Sequence, residues 1–169
     1  GVEVVRVRSA ADMHRAIFAH AEAADAIVMA AAVADYTPAG GAAGQKIVKQ
    51  EGDLTLRLAR TRDILADLGA WRGERRAPVL AGFAAETEDV VARARAKLVR
   101  KRVDLIVAND VSRADAGFEV ETNAATLVTA GGDEDMPLQA KSTLAARIVD
   151  RLEALLECAK ADTAAAPQG

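Results

Sequence analysis

Three apolar runs, residues 25–32, 78–84 and 104–108, constrain this chain more than any other feature in it. Each is continuous rather than alternating, the pattern of a strand covered on both faces. Helical stretches separate them, and strands alternating with helices build a parallel sheet with a helix layer on each side. Each run also ends in small or polar residues. The first passes through Ala30-Ala31-Ala32-Val33-Ala34 to Asp35 and Tyr36, the second reaches Glu86-Thr87, and the third reaches Asn109-Asp110. Ligands of such sheets sit beyond the carboxyl ends of the strands, so these tips are predicted to meet at one site. At the first tip, small side chains let a nucleotide approach the backbone, and the carboxylate can face a cation or a hydroxyl. A Gly/Ala-rich loop over 37–45 follows, then Lys46-Ile47-Val48-Lys49. A carboxylate at a strand tip and a lysine pair on a mobile loop point to a nucleoside triphosphate.

The remaining elements are read from local signals. Residues 2–7, rich in valine, predict a short strand. Ser9, with Asp12 three residues on, predicts an N-cap and a helix to about Ala24, with Met13, Ile17 and Phe18 on its apolar face. Strict alternation over 54–58 predicts a half-exposed strand. Thr61 or Asp63 opens a helix to about Trp71, residues 86–102 form a basic helix, and residues 142–158 form the last one. A strand over 125–128, a turn at Gly131-Gly132-Asp133 and a return strand over 136–139 make a C-terminal hairpin. Residues 1–160 are expected to be one domain and 161–169 a disordered tail.

Composition excludes several classes of function. A net charge of -3 with 28% charged residues offers no basic excess for nucleic acid. The single cysteine, Cys158, rules out an internal disulfide and a multi-thiolate metal site, which fits a reduced, cytoplasmic setting. No apolar run approaches the ~20 residues of a membrane-crossing helix, and no signal peptide is expected. There is no G-x-G-x-x-G and no Walker lysine motif.

The polar-tipped motifs occur in a recognisable order: Ala31-Ala32-Val33-Ala34-Asp35-Tyr36, Lys46-Ile47-Val48-Lys49, Gly82-Phe83-Ala84-Ala85-Glu86-Thr87, Lys97 with Lys101, and Ala108-Asn109-Asp110-Val111. Asn123-Ala124 and the helix start at Lys141-Ser142 continue it. Together they resemble the bacterial phosphopantothenoylcysteine synthetases, the C-terminal half of the bifunctional coenzyme A biosynthesis flavoproteins, over roughly residues 1–155. The resemblance implies an α/β, Rossmann-like three-layer fold: an open, mainly parallel sheet with helices on both faces plus a C-terminal hairpin. It implies a cytoplasmic homodimer that uses CTP and Mg2+ to join 4'-phosphopantothenate to L-cysteine through an acyl-cytidylate. In the parent protein it implies an N-terminal decarboxylase domain, so no FMN is expected on this chain.

Site residues follow from the same resemblance. Met29, Ala30 and Ala31 would lie against the nucleotide, and Asp35 would hold the cation or contact the nucleotide. Lys46 would come down on the phosphates and stabilise the acyl-transfer transition state. Arg62, Asp63, Ile64 and Leu65 would contact the nucleotide at a helix start, itself a physically sensible anion site. Phe83 would pack on the base, and Lys97 and Lys101 would reach the nucleotide from one helix face. The family's opening Gly-Gly-Thr turn and Asn-containing Ser-rich motif have no counterpart here. The expectation is therefore a domain lacking its first β-α segment.

Other residues have ordinary readings. His14 and His20 are expected on the surface, without a metal role. Cys158, Trp71 and Phe118 are expected to pack, and Lys49 and Arg100 to be solvated charges. The exposed face of 54–58 is either an edge strand or a surface that pairs across a dimer. Two rival functions are a non-catalytic nucleotide-binding module and an NAD(P)-dependent reductase. The missing glycine fingerprint argues against the reductase, as does the absence of a lysine four residues after Tyr36.

Overall fold

The computed structural model describes residues 1–41, 44–48, 51–110 and 121–165. Lys49, Val111 and Phe118 lie outside them. The core is a five-stranded sheet of order β1-β4-β5-β6-β7. β1 (Ala26–Met29), β4 (Val79–Glu86) and β5 (Leu105–Asp110) run parallel. β6 (Thr122–Thr129) and β7 (Gly132–Ala140) add the antiparallel hairpin. A separate two-stranded ribbon pairs β2 (Tyr36–Pro38) with β3 (Leu58–Arg60).

β4 and β5 feed both faces of the sheet, as their continuous apolar runs predict; β1, at the sheet edge, does not do so with buried residues, since only Met29 is buried and Val28 is exposed. Leu80, Ala84, Ile106 and Ala108 join one cluster with Leu65, Leu68, Ala94 and Leu98. These come from α2 (Ile64–Arg72) and α3 (Val90–Lys101). Met13, Ile17 and Phe18 of α1 (Ala10–His20) pack on the same cluster, so the predicted apolar stripe is the one used. Val79, Ala81, Leu105, Val107 and Leu127 face the other way, against Leu144, Ile148 and Leu152 of α4 (Lys141–Ala165). Ser9 and Asp12 form the expected cap, each side chain accepting from the other's backbone N–H at 3.1 Å.

Several expectations are corrected. Residues 2–7 form no strand, and Val2 is 90% exposed. Valine favours a strand only where a neighbouring strand and a packed face exist, and this segment has neither among the described residues. Alternation over 54–58 marks the approach to β3 rather than a strand of its own, and Leu54, Leu56 and Leu58 are all exposed. The basic helix begins at Val90 rather than Glu86, because β4 continues until Ala85 and Glu86 pair with Asn109 and Asp110. α4 runs on through 161–165, where a tail was expected. The stretch is alanine-rich, which favours helix, and Asp162 pairs with Arg76 at 3.4 Å. Residues 166–169 lie outside the described residues.

Two interior contacts lock α2 to its neighbours. A Cβ on Gly69 would stand 1.8 Å from the Lys101 carbonyl oxygen, so only glycine lets α2 cross the end of α3 this closely. Arg72, at the end of α2, is buried and donates to the carbonyls of Pro78 and Arg102 and to the Asp104 carboxylate. That carboxylate also accepts from the Leu80 N–H at 2.7 Å. A buried guanidinium held by three acceptors fixes the end of α2 against β4 and β5.

Candidate functional site

A cleft of about 740 Å³ opens beyond the carboxyl ends of β1, β4 and β5. Its position is the one that the switch-point rule predicts. The β1 exit gives it Met29, Ala30, Ala31, Ala32, Val33 and Asp35. Residues 60–65, from the end of β3 into α2, form a second wall. Phe83 and Ala85 of β4, Asn109 of β5, and Lys97 and Lys101 of α3 complete it. Every nucleotide-site residue expected from the sequence lies in this lining except Lys46. The structure places Lys46 exposed on the segment between β2 and β3, away from the lining.

Local structure explains each placement. β1 is only four residues long. Beyond it the chain turns away through small residues, leaving the strand tip open. Thr61 N–H donates to the Asp35 carbonyl at 2.9 Å, which ties the second wall to the first. Asp63 caps α2 by accepting from the Ala66 N–H at 3.1 Å, so the α2 N-terminus faces the cleft. Gly82 lets Leu65 sit directly on β4, since a Cβ there would stand 2.3 Å from the Leu65 Cδ2.

The cleft is a charged site with few uncommitted charges. Its cations are Arg60, Arg62, Lys97 and Lys101, against Asp35 and Asp63. Lys97 is held at 2.6 Å by Glu86, a carboxylate only 10% exposed at the tip of β4. Lys101 is held at 2.9 Å by Asp63. Burial pushes the Asp63 carboxyl up. The Lys101 hydrogen bond, the Ala66 N–H and the charges of Lys101 and Arg100 outweigh it, and hold the carboxyl below its ordinary value. Arg62 Nε lies 3.8 Å from Asp67, which also accepts from or is bridged to His14 at 3.0 Å.

Among the described residues no three His, Cys, Asp or Glu side chains group as a metal cage. Asp35, exposed at the end of the segment between β1 and β2, is one of the carboxylates lining the cleft. Two lining carboxylates, one of them Asp63 already paired with Lys101, suit a cation held chiefly through phosphate oxygens and water, not an all-protein site.

Sequence reasoning misplaced His14. It is 14% exposed, not a surface residue: it stacks on Phe18 at 4.4 Å and bridges to α2 through Asp67. The i, i+4 spacing from His14 to Phe18 carried the signal, since it puts both on one face of α1. His20 is exposed as expected. Cys158 is exposed on α4, which corrects the packing assignment. Trp71 packs edge-on to Phe18 beneath the Arg75 guanidinium, as expected of a packing residue.

Comparison with known proteins places this geometry in a family. Residues 1–156 match the family model described as the DNA/pantothenate metabolism flavoprotein C-terminal domain. The chain belongs to that family. It is 42% identical over 154 residues to the coenzyme A biosynthesis bifunctional protein CoaBC of Bacillus subtilis, covering 90% of this chain and 37% of that protein. The corresponding protein of Mycobacterium tuberculosis is 42% identical over 164 residues, covering 92% and 39%. The chain thus spans well under half of the curated relatives it matches. A crystal structure of the C-terminal domain of CoaBC superposes with a TM-score of 0.69 at 34% identity, covering 90% of this chain and 67% of that one. The flavoprotein structure from Streptococcus pneumoniae shares the fold, with a TM-score of 0.72 at 21% identity and coverage of 90% and 72%.

Proposed function

We propose that this chain is a CTP-dependent ligase domain that joins 4'-phosphopantothenate to L-cysteine in coenzyme A biosynthesis. The observation that carries the reading is the convergence of three strand tips, the α2 N-terminus and two α3 lysines on one cleft. The family match supplies the substrate class. In the first half-reaction the acid's carboxylate oxygen attacks the α-phosphorus of CTP. A P–O bond forms, the α–β bridge bond breaks, and pyrophosphate leaves with the electron pair. In the second, the cysteine amine attacks the acyl carbon, CMP leaves, and the amine loses a proton.

This chemistry needs charge neutralisation and alignment more than a proton-transfer base. Met29, Ala30 and Ala31 allow close backbone approach, and Phe83 packs on the base. Arg62, Asp63, Ile64 and Leu65 at the α2 start contact the nucleotide, and Lys97 and Lys101 reach it from α3. Lys46 reaches the reacting phosphoryl and acyl group from outside the lining. Magnesium, when bound, would screen the triphosphate, with Asp35 as its protein ligand. The protein acts as a cytoplasmic homodimer joined in its parent to a decarboxylase domain. Exposed Ile47, Val48, Leu54, Leu56 and Leu58 around the β2-β3 ribbon support a paired surface. No helix is long and apolar enough to cross a membrane among the described residues.

Lys46→Gln tests the chemistry. Removing one positioned charge from an acyl- or phosphoryl-transfer site costs about 10²–10³-fold in turnover. Pyrophosphate release should fall by that order while CTP affinity changes far less. Normal pyrophosphate release by the variant would remove Lys46 from the mechanism.

A further inference from the structure

Two sequence motifs at the carboxyl end of the sheet, Asn109-Asp110 and Asn123-Ala124, have no part in the roles above, and the fold brings them together. Asn109 is near the tip of β5, lines the cleft, and pairs in register with Ala85 of β4. The methyl side chain of Ala85 leaves the neighbouring amide uncovered. Asn123, near the start of β6, is 8% exposed. The β6-β7 ladder is irregular between Asn123 and Ala125, opposite Pro137, which has no N–H. There the Ala124 N–H donates to Asn123 Oδ1 at 3.0 Å.

That one bond sets a direction for the whole chain of amides. A backbone N–H only donates, so the Asn123 atom it meets is the oxygen. The other end of Asn123 is then Nδ2, which donates to Asn109 at 3.2 Å. The Asn109 atom receiving it must be Oδ1. Its Nδ2, with two N–H groups, has no partner among the described residues and belongs to the residue that lines the cleft.

We propose that Asn109 is a ligand-contacting residue that offers the cleft hydrogen-bond donors and no acceptor, and that Asn123 is the positioning residue that fixes this polarity. Its partner is an acceptor oxygen, phosphoryl or carboxyl/carbonyl, of the nucleotide or of the acid. The inference rests on the ligase reading for the identity of those ligands. It assigns a specificity role, because a ligand with a donor at this point would leave buried N–H groups facing N–H groups.

Asn109→Asp is the direct test. Asn123 still donates to one carboxylate oxygen, and the second oxygen replaces the donor, so affinity for the ligand that meets it should fall more than tenfold. Asn109→Ala removes the donor without adding an acceptor and should cost less than Asn109→Asp. Asn123→Asp keeps the Ala124 bond but makes Asn109 turn its Nδ2 inward. Combined with Asn109→Ala it should add nothing to ligand affinity.

Side-chain amide NMR reads the polarity without ligand. Asn109 Nδ2 protons should exchange fast with water in the wild type and become protected in Asn123→Asp. Titrating CTP–Mg2+ and 4'-phosphopantothenate separately then shows which ligand shifts the Asn109 amide resonances. Movement of Met29–Ala31 backbone and Lys97 signals with no change at Asn109 would overturn this inference and leave the ligase reading standing. No movement anywhere with either ligand would overturn both. Equal affinity of Asn109→Asp and wild type would overturn the specificity role.

Discussion

Asp63 shows how one side chain serves both architecture and site. It caps α2 through the Ala66 N–H and holds Lys101 at the cleft wall. The two roles separate by substitution. Asn is as good an N-cap as Asp, so Asp63→Asn should cost less than about 1 kcal/mol, because the half-exposed ion pair is screened. Asp63→Ala also loses the cap and should cost about 1 kcal/mol more. The sign of the pH dependence follows from the lowered carboxyl. Its contribution is complete above the ordinary carboxyl value of 3.8 and is lost as pH falls through the lower folded value. Denaturant unfolding of wild type and Asp63→Asn between pH 7 and pH 3 should show their difference shrinking only below about pH 4. A difference that is constant across that range would mean that the ion pair does not stabilise the fold.

α2 reaches the cleft because its far end is pinned. Arg72 is buried against Asp104, and Gly69 lies under the Lys101 carbonyl. Gly69→Ala forces α2 and α3 apart, an overpacking cost of about 2 kcal/mol and a Tm drop of roughly 5 °C. It should weaken CTP binding as well, since Lys101 lies at the crossing; unchanged Tm would mean that α3 yields without cost. The elements were legible where burial on both faces left a continuous run, as in β4 and β5, and where a cap residue marked a helix start, as at Ser9 and Asp63. They were not legible where alternation or valine content stood without a partner, over 2–7 and 54–58. β-propensity reports a fit to neighbours that the local sequence does not contain. The cleft lining was legible because strand exits are local features. The Asn109–Asn123 bond and the His14–Asp67 bridge join residues 14 and 53 positions apart, and no local pattern announces them.

Across the whole molecule, the parallel half of the sheet builds the cleft and the antiparallel hairpin supports it from the far side. α4 covers one face, leaving α2 and α3 on the other to bring a helix terminus and two lysines to the same opening. The lining is polar and positively charged without being strongly so, since each α3 lysine is paired with a carboxylate. If CTP binds here as proposed, base choice depends on the contacts around Phe83 and residues 62–65. The most direct test is calorimetric titration of the 169-residue chain with CTP and with ATP in the presence of Mg2+. Saturable CTP binding at least tenfold tighter than ATP, weakened by Lys97→Ala, is the expected result. Equal affinity for both nucleotides, or CTP binding that is indifferent to Lys97, would contradict the assignment of this cleft as a CTP site.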